Sequence, residues 1–151
     1  MTAVVVLLIA VAATLAVGLA LRARAGRVRA SEPAATAGDE RTVLLTEAGV
    51  TATGHPVVLH FSADWCGPCA AVRRVVGNVL AKLDASRTDG PAALDIELDI
   101  DENPALAKTL GVLSLPTTFI LDGDLTERFR ISGVPSAADL EAALVPLLET
   151  E

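Results

Sequence analysis

The chain of 151 residues has room for one globular domain and some additional sequence, but not for two full domains. Its net charge is −7, and residues 41–151 carry eight Lys or Arg against sixteen acids. A surface of that sign repels phosphate groups, so nucleic acid is not expected as a partner. Only two cysteines are present, and they are too close in sequence to staple distant segments, which argues against a small disulfide-dependent secreted fold.

The first segment is an apolar run from Ala3 to Leu21 that contains no charge and no proline. Its nineteen residues would span about 28 Å as a helix, close to the hydrocarbon core of a bilayer. All nearby positive charge follows the run, at Arg22, Arg24, Arg27 and Arg29. This order favours a permanent transmembrane anchor over a cleaved signal peptide. The positive-inside rule then predicts a cytoplasmic domain, although a single short helix can insert against its charge bias.

Residues 30–40 are rich in Ala, Ser, Pro, Gly, Thr and acids and show no apolar period. This composition is typical of a flexible linker that lifts a domain off the membrane. We therefore predict three parts: a transmembrane helix with its basic flank over residues 1–29, a linker over 30–40 and a folded domain over 41–151.

Strand and helix patterns alternate through the predicted domain and indicate an α/β fold, with a central mixed β-sheet flanked by helices. The predicted strands are Thr42–Thr46, Val57–Phe61, Ala93–Ile100, Thr117–Leu121 and Leu125–Ile131. The predicted helices are Cys69–Leu83, a short one from Asn103-Pro104 to near Gly111, and Ala137–Leu148 after a Ser136 cap. Asp122-Gly123 predicts a hairpin turn between the last two strands.

The Cys66–Cys69 pair follows a predicted buried strand and opens a predicted helix. Thiol–disulfide exchange needs a thiolate, and the free N–H groups and dipole at a helix N-terminus lower the pKa of a thiol. We predict Cys66 as the exposed attacking nucleophile and Cys69, one turn further on, as the shielded resolving thiol. Gly67 allows a substrate backbone to approach closely, and Pro68 fixes the geometry of the first turn.

Two other roles for the cysteine pair compete with exchange. A zinc site needs four ligands, and besides the cysteines the chain offers only His55 and His60, without a second paired motif. A purely structural disulfide at this spacing closes too short a loop to stabilise the fold much. We therefore expect redox chemistry by the pair itself, with no metal and no bound cofactor.

The five residues Trp65–Cys69, WCGPC, resemble the active-site motif of the thioredoxin family. Three further segments resemble family segments in the same order, so that the resemblance covers about residues 41–149: Val57–Phe61, Asp99–Pro104 and Gly111–Thr117. The resemblance implies a thioredoxin fold over the domain.

The same resemblance implies a groove for an extended substrate segment beside the cysteines. Leu115–Pro116 should form a cis peptide bond that faces the pair, Gly133 should line the groove, and Trp65 should shield Cys66 and offer an apolar contact surface. Each residue also has a plainer interpretation. Pro116 could simply start a strand, Gly133 could be a turn glycine, and Trp65 could pack in the core.

Two positions beneath the motif depart from the family pattern. Many thioredoxins have a buried Asp and a nearby Lys where this chain has His60 and Glu97. Because an imidazole titrates near neutral pH, we predict that the His60–Glu97 pair passes protons to and from Cys69, with His60 as general base. The alternative is a strand histidine satisfied by Glu97 or by the backbone, with no part in catalysis.

The resemblance implies a protein-disulfide reductase, since Gly67-Pro68 between the cysteines is the pairing of reducing thioredoxins. The expected partners are disulfide-containing proteins, a flavin-dependent electron donor like thioredoxin reductase, and the membrane through the N-terminal helix. One alternative has the same chemistry on the outer face of the membrane, in cytochrome c maturation or envelope disulfide reduction. Another is a noncatalytic peptide-binding module.

Overall fold

A computed structural model describes residues 2–31, 38–88 and 90–149. Its first element is helix α1, Thr2–Arg24, whose apolar span buries none of its surface against the rest of the described chain. Within the described residues it is the one helix long and apolar enough to cross a membrane. A signal sequence near an N-terminus can meet the same criterion of length and composition.

Five strands form one mixed sheet in the described part of the chain. They are β1 Val28–Ala30, β2 Val57–Ser62, β3 Leu94–Asp99, β4 Thr117–Leu121 and β5 Glu127–Ser132. Their order across the sheet is β1-β5-β4-β2-β3. β2 and β3 are parallel, whereas all other neighbours are antiparallel. β2 is buried along its whole length, as its largely apolar run predicts.

Helices cover both faces of this sheet. Besides α1, the described helices are α2 Gly38–Glu47, α3 Cys69–Asp84, α4 Pro104–Thr109 and α5 Ala137–Leu148. Because strand side chains alternate, Val58 and Ile131 pack with α3 and α5 on one face, while Leu59, Phe61 and Phe119 pack with α2 and α4 on the other. The predicted central mixed sheet flanked by helices is confirmed.

Several local signals act as predicted. Ser136 caps α5, because its hydroxyl accepts a hydrogen bond from a main-chain N–H of the first turn at 3.1 Å. Asp122 accepts the Thr126 N–H at 2.8 Å and organises the hairpin between β4 and β5. Asn103 precedes α4 as expected, but its side-chain amide donates to the Asp99 carbonyl at 3.0 Å rather than capping the helix.

The prediction of a first strand at Thr42–Thr46 is wrong, because these residues belong to α2. The Thr42 hydroxyl donates to the Gly38 carbonyl at 2.7 Å, one helical turn earlier. Leu45 is the one buried residue of the five, and it packs against the core beneath α2 and α4. Five residues with one inward side chain satisfy a helical period as well as a strand, and the tertiary contact of Leu45 decides between them.

The edge strand β1 comes instead from residues predicted to form the basic flank and the linker. Val28 packs against the core beneath α3 and α5. Ser31 extends the pairing, since its N–H donates to the Arg128 carbonyl at 2.9 Å and its hydroxyl to Glu127 Oε1 at 2.6 Å. The predicted linker over 30–40 is therefore contradicted at both ends, by the sheet edge and by α2. Residues 32–37 between them lie outside the described residues.

Candidate active site

The two cysteines lie where β2 leads into α3. The Cys66 N–H donates to the Ala63 carbonyl at 2.9 Å, which folds the chain back after the strand. Cys69 is the first residue of α3, and its N–H donates to the Cys66 carbonyl at 3.2 Å. The pair forms a disulfide, with the two Cα atoms 5.5 Å apart. The predicted succession of strand end, cysteine pair and helix start is confirmed.

The two sulfur positions differ in accessibility. Cys66 is 9% exposed and Cys69 is 1% exposed, so an approaching thiol or disulfide meets Cys66 first. Cys66 is less open than predicted, because it packs with Ala63 and Cys69 beside Ile100 and Leu115. It lies just ahead of the N-terminus of α3, where the helix dipole favours a thiolate once the pair is reduced.

The two residues between the cysteines have the geometry that their predicted roles need. Gly67 is exposed, and no atom lies within 4 Å of the place where a Cβ would stand. Pro68 precedes the first residue of α3 with φ −66° and ψ −18°, a helical conformation. The surface above Gly67 is therefore open to another chain.

The predicted groove residues come together beside the cysteines. The Leu115–Pro116 peptide bond is cis, as the resemblance implies. Leu115 packs against Cys66 and Cys69. Gly133 donates its N–H to the Pro116 carbonyl at 2.8 Å and has φ +93°, a conformation that favours glycine. Leu115 thus borders the redox pair directly, and Gly133 is joined to the same loop through Pro116.

Trp65 and Leu113 are exposed apolar side chains at this end of the sheet. Trp65 is 71% exposed, which rules out the interpretation as a core residue. Its Nε1 donates to Asp101 Oδ2 at 3.3 Å. Leu113 is 97% exposed and lies two residues before Leu115 in the loop that contacts the cysteines. Asp101 and Leu113 were not predicted as site residues, although both lie in segments that resemble the family, Asp99–Pro104 and Gly111–Thr117.

His60 and Glu97 are paired in register on β2 and β3, but each binds a different partner. His60 is 2% exposed, and its Nε2 lies 3.1 Å from Asp95 Oδ1. Arg73 Nε donates to both Glu97 carboxylate oxygens, at 2.9 and 2.8 Å. Asp95 precedes Glu97 on β3, so its contact draws the imidazole toward the end of the sheet opposite the cysteines. The role predicted for the pair in moving protons stays a prediction.

The histidine considered alongside His60 as a zinc ligand is remote from the cysteines. His55 lies before β2, whereas the cysteines follow the other end of that strand, and its ring lies against Gly90. Among the described residues, no group of three or more His, Cys, Asp or Glu side chains is arranged to hold a metal ion.

Arg130 on β5 supports the loop that carries Leu113 and Leu115. Its Nη2 donates to the Leu110 carbonyl at 2.6 Å and its Nη1 to the Gly111 carbonyl at 3.3 Å. A cation at the last carbonyls of α4 complements the helix dipole. The guanidinium also lies over the Phe119 ring, 4.6 Å from its centroid. Arg130 thereby fixes the start of the groove loop to the sheet.

The Arg73–Glu97 pair predicts an acid-sensitive contribution to stability. Burial raises the pKa of the Glu97 carboxyl, but hydrogen bonds from Ser62 and Arg73 and the charges of His60 and Arg73 outweigh it, so the net shift is downward. A lowered folded-state pKa stabilises the protein above the unfolded pKa of about 4.3, and the stabilisation is lost as pH falls through the folded value. We expect Glu97→Gln to cost about 0.5 kcal/mol at pH 7, since the pair is partly exposed, and almost nothing at pH 2. Urea unfolding at both pH values measures this, and an equal cost at both contradicts it.

The Asp101 carboxylate is expected to hold Trp65 in position for substrates. Asp101→Ala frees the indole, so we expect the KM for insulin to rise about threefold with kcat little changed, the effect of one exposed hydrogen bond. Steady-state insulin reduction measures both constants. The matched control is Glu102→Ala, which removes a neighbouring charge without touching the indole bond. If both variants behave alike, charge and not the Trp65 contact is responsible.

The sheet order, the cysteine pair at the end of β2 and the cis-proline loop beside it define a thiol–disulfide oxidoreductase of the thioredoxin fold. Comparison with known proteins agrees: a family model described as Thioredoxin matches residues 46–145. The chain belongs to the thioredoxin family.

Individual relatives cover the domain and not the whole chain. Thioredoxin of Streptomyces clavuligerus is 34% identical over 100 residues, which are 66% of this chain and 87% of the relative. Thioredoxin of Mycolicibacterium smegmatis is 36% identical over 106 residues, 68% of this chain and 90% of the relative. Among solved structures, a mutant thioredoxin from Halobacterium salinarum NRC-1 superimposes with a TM-score of 0.52 at 31% identity, covering 68% of this chain and 82% of that one.

Proposed function

We propose that this protein is a membrane-anchored protein-disulfide reductase whose domain lies at the cytoplasmic face. The observation that carries the redox part is the Cys66–Cys69 disulfide at the junction of β2 and α3, with Cys66 the more accessible sulfur. The membrane part rests on α1, which has the length and apolar composition of a bilayer span.

In the proposed reaction the Cys66 thiolate attacks one sulfur of a substrate disulfide. A mixed disulfide forms, and the other substrate sulfur leaves as a thiolate that takes a proton. Cys69 then loses its proton and attacks Cys66 Sγ, which releases the second substrate thiol and forms the Cys66–Cys69 disulfide. The substrate gains two electrons and two protons, and the enzyme's dithiol supplies them. No bound cofactor takes part.

An external donor must reduce the Cys66–Cys69 disulfide after each turnover. A flavin-dependent reductase fits this role, because Gly67-Pro68 between the cysteines is the pairing of reducing thioredoxins. One relative supports the same partner. The Mycobacterium leprae protein named bifunctional thioredoxin reductase/thioredoxin is 32% identical over 93 residues, which are 62% of this chain and 19% of the relative.

Substrate is proposed to lie as an extended segment across Trp65, Gly67, Leu115, Pro116 and Gly133. The open space over Gly67 and the contact of Leu115 with the cysteines support this placement. The Gly133 N–H already binds the Pro116 carbonyl, so Gly133 contributes the shape of the groove and not a free donor. Main-chain pairing at Leu115 would leave side chains of the substrate free to vary.

Insulin reduction by the full chain in detergent micelles tests the redox proposal. With dithiothreitol as donor, the protein should accelerate precipitation of the reduced insulin B chain, and the Cys66→Ser variant should not. An inactive wild-type protein would favour the alternative of a noncatalytic peptide-binding module.

A reporter active on only one side of the membrane, fused to Glu151, tests the orientation. The four arginines after the apolar run support a cytoplasmic domain. Activity only outside would favour the alternative of an extracytoplasmic reductase for cytochrome c maturation or envelope disulfides. Recovery of the domain in a soluble fraction, without α1, would indicate a signal sequence.

The proposed proton relay makes a distinct prediction for His60 and Glu97. If the buried imidazole serves Cys69, His60→Asn should change the pH dependence of the resolving step by more than about tenfold in rate at one end of the range. Glu97→Gln should change the profile less than His60→Asn does, because Arg73 and not His60 binds its carboxylate. Stopped-flow decay of a mixed disulfide at Cys66 measures this step. An unaltered profile in His60→Asn would exclude the relay.

A further inference from the structure

The chain leaves α1 and enters the sheet at the active-site end of the domain. Gly26 is the first residue bound to the sheet, through a hydrogen bond from its N–H to the Ser132 carbonyl at 2.6 Å. A Cβ on Gly133 would lie 3.2 Å from the Gly26 nitrogen. Gly133 in turn donates to the Pro116 carbonyl. The chain that leaves α1 therefore joins the sheet beside the loop that contains the cis-proline.

Strand directions lead to the same conclusion. β1 runs antiparallel to β5, with Val28 opposite Ile131, so β1 begins where β5 ends. By the pairings of β5 with β4 and of β4 with β2, that edge is also where β4 begins and where β2 ends, with Phe61 opposite Thr117. The loop with the cysteines follows the end of β2. Anchor, cis-proline loop and redox pair therefore share one end of the sheet.

The connection between the anchor and the sheet is short. From Leu21, the last residue of the apolar span, three helical residues reach Arg24, and two more reach Gly26. Their combined rise is at most about 12 Å, and the interfacial layer of a bilayer is itself about 5–8 Å thick on each side. The active-site end is thereby held within several ångströms of the headgroups. Residues after β1 do not lengthen this connection, because the chain is already paired with the sheet at Gly26 and Val28.

The cysteines are also close to the anchor within the sheet. β5 and β4 separate β1 from β2, so three strand spacings, about 14 Å, lie between Gly26 and the end of β2. Two of the four large apolar side chains exposed on the described part of the domain lie at this end, Trp65 at 71% and Leu113 at 97% exposure. Tryptophan is enriched at membrane–water interfaces, where its amphipathic ring sits at headgroup level.

We propose that the active-site end of the domain rests against the membrane surface, and that the substrates are disulfides which membrane-bound proteins present at headgroup level. In this arrangement Trp65 and Leu113 contact the interfacial layer of the bilayer, and Cys66 lies close to the membrane surface. A disulfide on a freely diffusing protein meets this site only when the domain tilts away. The inference rests on the proposed anchoring and narrows the substrate class.

Trp65 reports on this arrangement directly, because it is the only tryptophan in the chain. The full protein is reconstituted into vesicles of zwitterionic phosphatidylcholine, which avoid repulsion of the acidic domain, with or without a lipid that carries a nitroxide on its headgroup. We expect the nitroxide to quench Trp65 fluorescence at least about twofold. The control variant carries twenty Gly and Ser residues between Arg24 and Ala25, which add a reach of about 25 Å, and it should lose most of this quenching. Equal quenching in both proteins, or none in either, overturns the orientation.

Two further measurements separate this inference from the proposed function. Vesicle flotation tests anchoring, and insulin reduction by the same samples tests the redox activity. A protein that floats and reduces insulin but shows no quenching refutes the inference alone, whereas a protein that stays in solution refutes the anchoring.

The substrate class is tested with one disulfide peptide in two forms, free and carrying a lipid chain. The rate for the lipid-carrying form, divided by the rate for the free form, should fall about threefold or more in the extended variant, because its domain spends less time at the surface. An unchanged ratio contradicts the preference for membrane-bound substrates.

Discussion

Cys66→Ser is expected to abolish insulin reduction, lowering kcat/KM by at least about a thousandfold. A serine hydroxyl is not ionised at neutral pH and cannot attack a disulfide sulfur. Cys69 cannot replace it, since Cys69 is 1% exposed and is the first residue of a helix that packs on the sheet. Activity within about tenfold of the wild type would show that Cys66 is not the nucleophile.

Cys69→Ser should fail differently. Cys66 still attacks, but the mixed disulfide is not resolved, so the variant should accumulate one covalent adduct per chain when mixed with a disulfide peptide. Mass spectrometry without reductant measures the adduct, and the Cys66→Ser, Cys69→Ser double variant is the control. An adduct at Cys69 in the Cys66→Ser protein would reverse the proposed roles.

Phe119→Ala is expected to have the largest effect on stability, about 3–5 kcal/mol. Phe119 is fully buried on the α2 and α4 face of the sheet. Its ring meets Phe61 edge to face with centroids 6.1 Å apart, and Arg130 lies over it. The variant loses the buried apolar surface of Phe119, its ring contact with Phe61 and its cation–π contact with Arg130 together. Urea unfolding followed by far-ultraviolet circular dichroism should show a midpoint about 2 M lower.

Phe129→Ala is the matched control for Phe119→Ala, because it removes the same ring from a less buried position. Phe129 lies on β5 but is only partly buried and packs on the other face, beside Val28 and α5. We expect its loss to cost about 1–2 kcal/mol, because the site is open to water and can relax. Equal costs for the two variants would contradict the assignment of Phe119 to the dominant core contact.

Local patterns predict the elements from β2 onward. The apolar run of β2 is short, as strands are, and the spacing of Val72, Val76 and Val79 in α3 follows the helical period; the structure buries these three residues of α3. Ser136 and Asp122 set their boundaries through their own side-chain hydrogen bonds. Caps, turns and periodic patterns that act within a few residues can therefore be recognised from the sequence.

β1 and α2 were missed because their identity depends on contacts distant in sequence. β1 has three residues, too few for a pattern, and it is a strand only because β5 lies beside it and Glu127 binds Ser31. Thr42–Thr46 suits a strand by composition, and it is helical because Leu45 packs against the core. Propensity is a weak guide where one tertiary contact outweighs it.

The redox-active cysteine pair could be predicted from the sequence, whereas the hydrogen-bond partners of His60 and Glu97 beneath it could not. Cys66 and Cys69 are close in sequence and their spacing carries the chemistry. The register places His60 opposite Glu97, but their hydrogen bonds go to Asp95 and Arg73. Side-chain direction on neighbouring elements chooses among several carboxylates within reach, and the sequence does not encode that choice locally.

The reduction potential of the Cys66–Cys69 couple tests the central claim most directly. The full chain is equilibrated with glutathione buffers of defined potential, and the oxidised fraction is measured by thiol alkylation. A reductase with Gly67-Pro68 between its cysteines should give a value near about −270 mV, as thioredoxins do. A value near about −120 mV, that of a strong oxidant, would contradict the assignment as a reductase.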